Sequence, residues 1–262
     1  MGIDFTIFKG SQSGDIVVAQ GHRDPGPTEV IVRISHCGVC GTDEHFRHYD
    51  KGLGHEGVGV IIELGSAVHA VSDFQVGDRV GMGWFNKFCG HCEACLTGNN
   101  TPAFFFFAIL HLLTRFLTGR QTLCVSYQSF GNSNADQGGF GTAAAWDVSA
   151  LFKLPAEIAS EDAGPLMCGG ATVWSPLFES GLRPGARVGI IGVGGLGHLA
   201  IQFASKMGME AVVFSSTESK KQDALKFGAS EFHITSGVEE FQDIAKLDLL
   251  LITTNVVPNL SL

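Results

Sequence analysis

Cys89, Cys92 and Cys95 are spaced C-x2-C-x2-C, which brings three thiolates within reach of one metal ion. Thiolate sulfur sits about 2.3 Å from zinc, and a tetrahedral structural site needs a fourth ligand. Cys124 is the one cysteine between Cys95 and Cys168. It stands far off, but deleting Pro102 to Thr122 leaves CLTGNNTLC, in which the fourth cysteine follows the third after seven residues. That compact spacing suits a single metal loop.

A second set of soft and borderline donors is spread over three segments. "HCGVCGTDEH" (36–45) offers Cys40, "GLGHEGVGVI" (52–61) offers His55 beside Glu56, and "GPLMCGGATVWSPL" (164–177) offers Cys168 at what reads as the opening of a helix. Two thiolates and one imidazole leave a fourth zinc position free, the arrangement of a catalytic site that must admit water or substrate. A third kind of chemistry is written in "ARVGIIGVGGLGHLAIQFASKMG" (186–208): an apolar strand, a glycine turn and an amphipathic helix. Gly192, Gly194, Gly195, Leu196 and Gly197 would let the backbone approach a pyrophosphate at a helix amino terminus. The next strand, EAVVF, ends in SSTESKK. An NAD site usually places a carboxylate there for the ribose 2′-hydroxyl. Here Ser215, Ser216 and Thr217 offer uncharged donors and Lys220 a cation, which favours the 2′-phosphate of NADP(H), with Glu218 as a contrary sign.

On these blocks, in this order, the sequence resembles the zinc-dependent medium-chain alcohol dehydrogenases, in particular the cinnamyl-alcohol-dehydrogenase-like branch and its fungal NADP-dependent relatives. The resemblance implies a catalytic Zn2+ on Cys40, His55 and Cys168, with Glu56 counted at the same metal site, and a structural Zn2+ on Cys89, Cys92, Cys95 and Cys124. It implies hydride transfer between an alcohol or aldehyde and NADP(H), with zinc as Lewis acid. It makes Thr42 and His45 a proton relay, and places Thr172 against the nicotinamide, where cofactor and zinc meet. Asp43 and Glu56 read as carboxylates that orient the histidine ligand or adjust the charge near the metal. Trp84 and Phe85 read either as lining of a pocket for aromatic or long aliphatic substrates or as the core face of a strand. Cys37 reads as a small core residue, and His22, His36, His48, His69, His91 and His198 have no spacing that recruits them.

The family pattern has no counterpart to residues 102–122, "PAFFFFAILHLLTRFLTGRQT". Its apolar stretch is shorter than the roughly 20 residues a bilayer span needs and too apolar for a surface loop. The segment reads as foreign to the fold, translated intron sequence, or alternatively as a genuine helix packed on the domain or a partner. The family pattern also runs beyond residue 262. From that, a dehydrogenase with an incomplete nicotinamide pocket is one expectation, and an inactive truncated remnant that keeps zinc is the alternative. A zinc-binding interaction module would leave the glycine turn and Ser215 unexplained.

The elements that must position these groups divide the chain in two. Residues 1–150 read as short strands and glycine turns, the GroES-like zinc-binding catalytic domain that the resemblance implies. Residues 151–262 read as an incomplete Rossmann domain, a doubly wound parallel sheet, so the fold class is α/β. Within it the pattern predicts helix 218–227, strand EFHI, helix 238–245 and strand LDLLLITT. With 45% hydrophobic and 16% charged residues, the chain is long enough for two cores. A net charge of −9 and no Lys/Arg block argue against nucleic acid. Seven cysteines without a secretory leader point to a reducing, cytoplasmic setting. Gly2 with Thr6 formally fits a myristoylation pattern and reads as chance. No membrane partner is expected. The family is usually homodimeric, an expectation weakened here because the dimer-forming edge is missing from the sequence.

Overall fold

The computed structural model describes residues 2–96, 124–241 and 244–255. The segment 102–122, whose origin the sequence left open, lies outside them. The chain forms two compact units, Met1–Cys168 and Gly169–Leu262.

The first unit begins with β1 (Ile3–Lys9) paired antiparallel with β2 (Val17–Arg23). There follow β3 (Glu29–Cys37), α1 (Gly41–Phe46), β4 (Gly57–Leu64), α2 (Val68–Val71) and β5 (Arg79–Met82). Next come β6 (Phe85–Lys87), α3 (Glu93–Leu96), β7 (Gln128–Ser129), β8 (Ala143–Asp147), β9 (Leu151–Lys153) and α4 (Ser160–Pro165). Five strands form one antiparallel sheet in the order β8-β3-β4-β5-β9, and β6 pairs with β7.

The two-residue period of the strands decides which core each side chain enters. Val30 and Val32 of β3, with Ala144 and Trp146 of β8, pack with Ile61, Val80 and Met82. The intervening Ile31, Ala143 and Ala145 face the opposite way and pack with Phe5 and Ile7 of β1. The sheet is therefore covered on both faces over its central strands. Residues 151–168 belong to this unit by their contacts: β9 pairs with β5, and α4 packs on β3 and β4. That packing holds Cys168 in the same body as Cys40 and His55.

A π-helical turn, Leu166–Gly170, joins the units and runs into α5 (Ala171–Glu179). The second unit continues with β10 (Arg187–Ile191), α6 (Gly195–Lys206) and β11 (Glu210–Ser215), then a 3-10 turn, Glu218–Lys220, that leads into α7 (Lys221–Phe227). β12 (Ala229–Ile234) and β13 (Leu249–Ile252) complete a parallel sheet in the order β12-β11-β10-β13. Its core joins Val188, Ile190, Ala211 and Val213 from the strands to Ala200, Ile201 and Ala204 from α6. Helical spacing on one element thus meets two-residue spacing on its neighbours.

One expected element is not formed. Among the described residues of 238–245 the chain makes no helix, and the chain leaves β12 in a turn closed by Val238 N–H on the Thr235 carbonyl at 3.3 Å. Phe241 folds back to pack against Phe214 and His233, with ring centroids 5.5 and 6.0 Å apart. Those two ring contacts are tertiary, and with Gly237 at φ +77° they override the local helical pattern among these residues. No helix among the described residues is long and apolar enough to cross a membrane.

Candidate functional site

Cys40 stands at the amino cap of α1, three residues past the end of β3, and its sulfur accepts the Thr42 N–H at 3.4 Å. The cap is reciprocal, because the Asp43 carboxylate takes the Cys40 N–H at 3.1 Å. The other Asp43 oxygen lies 3.2 Å from His55 Nδ1 and accepts the Gly54 N–H at 3.0 Å. This arrangement fixes the imidazole with Nε2 turned to Cys40 Sγ, 3.2 Å away. Cys168, in the π-helical turn, brings its sulfur to the same point, and a Glu56 oxygen joins them. One donor atom from each of Cys40, His55, Glu56 and Cys168 lies within 4.8 Å of the other three.

The electrostatics show four groups that compete for protons. A hydrogen bond from Cys168, followed by those from His55 and Thr42, overcomes burial and holds the Cys40 thiol down to about 3. Cys168 is pushed up by the same contact with Cys40 and by burial, so the pair shares one proton. Burial and then the neighbouring Cys40 charge push Glu56 up to about 7. Burial works against charge on His55 too, but hydrogen bonds to Asp43 and Cys40 raise it to about 9. Asp43 is lowered, since the bonds from His55 and the Cys40 N–H outweigh its own burial. Such a crowd of anionic sulfur and carboxylate around one imidazole is the donor chemistry of a zinc site. The two acids sort into different roles: Asp43 orients His55, while Glu56 stands among the candidate ligands. Glu56 reaches that place because Gly38 has no side chain; a Cβ there would collide with its Oε2.

Replacing Asp43 by Asn should leave the imidazole in place but remove the acceptor charge behind it. The expected result is a zinc affinity about 10–100-fold weaker at this site, read by chelator competition. Unchanged affinity would remove Asp43 from the support of the metal.

Thr42 and His45 lie one helical turn apart on α1, with Thr42 half-buried beside Cys40 and His45 exposed. Trp84 packs edge-on to His55, centroids 5.8 Å apart, and stacks on Phe46 at 5.7 Å. Phe85 instead packs with Phe88 and Tyr127. Phe130 also packs on the histidine and Phe46 packs behind it and Trp84, and no short-range pattern in the sequence announces either. Cys37 is held up at about 12 by burial, packed against Gly139.

In the cysteine lobe, Cys89, Cys92, Cys95 and Cys124 also bring four sulfurs within 4.8 Å of one another. The Cys89–Cys95 and Cys92–Cys95 sulfurs are 3.8 and 3.5 Å apart. A tetrahedron with arms of about 2.3 Å has edges of about 3.8 Å, so the sulfurs fit zinc. The backbone N–H groups of His91 and Cys92 hold Cys89 down to about 6, while burial and the surrounding sulfurs push Cys95 up to about 12. Cys124 is buried in the core of the unit with Phe88 and Trp146, which anchors the lobe.

In the second unit, the chain leaves β10 at Gly192 (φ +96°), turns through Val193 and Gly194, and enters α6 at Gly195. A Cβ on Gly194 or Gly195 would meet nothing within 4 Å, so open space is kept at the helix amino terminus. Leu196 packs against the core, and Gly197 admits no side chain because its Cβ would strike the Gly192 carbonyl. Ser215 is the last residue of β11, next to Phe214, whose carbonyl accepts the Gly192 N–H at 2.8 Å. Ser216, Thr217 and Lys220 follow on the exposed surface, and Thr172 is exposed on α5.

Residues 26–156, half of the chain, match the alcohol dehydrogenase GroES-like domain. Cinnamyl alcohol dehydrogenase 5 of Arabidopsis thaliana is 36% identical over 244 residues, 89% of this chain and 63% of that protein. The chain belongs to the zinc-dependent medium-chain alcohol dehydrogenase family. A family member from Mycolicibacterium smegmatis, NADP-dependent alcohol dehydrogenase C 1, is 33% identical over 241 residues, 89% of this chain and 64% of that protein. The crystal structure of CAD from Helicobacter pylori complexed with NADP(H) superposes with a TM-score of 0.76 at 27% identity, covering 97% of this chain and 70% of that one. The chain thus spans less than two thirds of the length of these curated members of the family.

Proposed function

We propose that this chain carries the zinc and dinucleotide sites of an oxidoreductase that interconverts alcohols and aldehydes with NADP(H). The observation that carries the proposal is the convergence of Cys40, His55, Glu56 and Cys168 on one point, with His55 buried and held by Asp43. These residues would hold a zinc ion, which when bound supplies Lewis acidity at the substrate oxygen. The chain's own residues do the rest. The Thr42 hydroxyl accepts the proton of the substrate alcohol as it passes its own proton outward, and the His45 imidazole, exposed one turn along α1, receives a proton by way of the cofactor ribose and releases it to solvent. Trp84 fixes the face of His55 and supports aromatic or long aliphatic substrates.

On the cofactor side, the amino terminus of α6 receives the pyrophosphate through the Gly192–Gly197 turn. The nicotinamide is met by Thr172. The absence of a carboxylate at Ser215, with Ser216, Thr217 and Lys220 beside it, supports NADP(H) over NAD(H). The relatives named above that use NADP(H) support the same choice. The four cysteines of the lobe hold a second, structural zinc.

The test is to express residues 1–262 with zinc and follow NADPH oxidation in the presence of cinnamaldehyde and benzaldehyde, with NADH as the comparison. Metal content is measured on the same sample. Zinc-dependent turnover with NADPH preferred is the expected result. A zinc-loaded, folded chain that binds neither dinucleotide would overturn the assignment.

A further inference from the structure

Cys40, His55 and Glu56 are near one another in the chain, whereas Cys168 lies far beyond the cysteine lobe and has to be delivered to them. The delivery runs along one face of β5. Positions 79, 81 and 83 alternate with Val80 and Met82, which enter the core of the unit, so they share the opposite face. At the start of that face the Arg79 guanidinium ties down the strap ahead of α4. It donates to the carbonyls of Pro155 and Ile158, the latter at 2.6 Å, and to Ser160 Oγ at 3.2 Å. The next two positions on the face carry no side chains, because they are Gly81 and Gly83.

Met167, the residue before Cys168, fills the space these glycines leave. A Cβ on Gly81 would collide with Met167 Sδ, and one on Gly83 would come to 2.9 Å from the Met167 carbonyl oxygen. Both glycines are buried, and neither has the positive φ that would by itself call for glycine. The close approach of Met167 is what requires them. A second close approach supports the strap from behind: a Cβ on Gly164 of α4 would come to 3.0 Å from Gly38 N and 3.3 Å from the Glu56 carbonyl oxygen.

We propose that Gly81 and Gly83 are positioning residues for the catalytic metal: they seat Met167 and so hold the Cys168 sulfur where Cys40 and His55 present their donor atoms, without touching the ion. The proposal rests on the zinc reading given above. Zinc–sulfur bonds stay near 2.3 Å within about 0.2 Å, so a small displacement of Cys168 is felt as lost affinity.

Gly83→Ala sets its Cβ against a main-chain atom that cannot move without shifting Cys168. Gly81→Ala sets it against the end of a side chain, which Met167→Ala in the same chain removes. Zinc affinity is measured at both sites by competition with a chromophoric chelator, with Cys40→Ser marking which release belongs to which site. Thiolate-to-metal absorption of the Co2+-loaded chain reports the sulfurs bound. The Cys40 site is expected to be about 10–100-fold weaker in Gly83→Ala and about tenfold weaker in Gly81→Ala, with recovery in the Gly81→Ala/Met167→Ala pair. The cysteine lobe keeps the parent affinity in all three. Where Gly83→Ala does not fold, the Gly81 pair decides alone. Affinity within twofold of the parent in either single variant would overturn the role of that glycine. Equal weakening of both sites, or no recovery in the double variant, would overturn the proposal and leave the zinc reading intact. A folded parent chain that holds zinc in the lobe and none at Cys40, His55 and Cys168 would remove the zinc reading, and this proposal with it.

Discussion

Cys124→Ser should cost the protein one zinc per chain and unfold the cysteine lobe. The four sulfurs of that lobe lie within 4.8 Å of one another, too close for all to be ionised without a cation among them. Cys89 is held low at about 6 and Cys95 high at about 12, a protonation pattern that a bound zinc replaces with four thiolates. Cys124 also differs from the other three in being buried in the main core of its unit. Its loss therefore removes both a ligand and the anchor between lobe and sheet. Loss of a structural metal is among the few single changes that cost a domain several kcal/mol, here about 3–5 kcal/mol. For a unit of this size the thermal midpoint should fall by roughly 6–20 °C. Zinc content by atomic absorption and a calorimetric melt decide the matter; parent-like values in both would take Cys124 out of the site.

The second large effect concerns the cofactor. Ser215→Asp should reverse the preference for NADP(H), changing the ratio of the two kcat/KM values by about 100-fold. The side chain sits at the end of β11 beside the glycine turn and is almost fully buried, so the new carboxylate has little water to screen it. Two charges about 4 Å apart repel by roughly 1–4 kcal/mol at effective dielectrics between that of water and about 20. The 2′-phosphate of NADP(H) meets that repulsion, while the free ribose hydroxyls of NAD(H) gain an acceptor. Steady-state kinetics with both dinucleotides test it. A ratio unchanged within threefold would show that the strand end does not read the 2′ position.

The outcome at Glu56 illustrates how the candidate site divides between sequence and fold. In the sequence both acids read as carboxylates beside the metal, with only Glu56 counted at the catalytic zinc site. They part company because Asp43 lies in the first turn of α1, facing back to its own cap and to His55. Glu56 begins the approach to β4, where the missing side chain of Gly38 gives its carboxylate room. The aromatic bed of His55 shows the same division more strongly. Trp84 and Phe130 come from separate segments, and only the closing of the sheet brings their rings to one imidazole, with Phe46 packed behind both.

What the sequence by itself determined is whatever depends on short separations and a regular period. The C-x2-C-x2-C spacing, the strand–glycine–helix turn and the Ser215 strand end all belong here, because a few residues of backbone geometry fix which groups can meet. The tertiary structure decided the rest. It brought Cys168 to Cys40 and His55 through the packing of α4 on β3, and Cys124 to its three partners. Among the described residues of 238–245 it formed no helix and set Phe241 against Phe214 and His233. It also set the Thr253 hydroxyl on the Ile191 carbonyl, 2.7 Å away, at the end of β10. In each case the deciding contact joins residues distant in the chain, and the free energy of such a contact comes from burial and hydrogen bonding between elements, which no local pattern encodes.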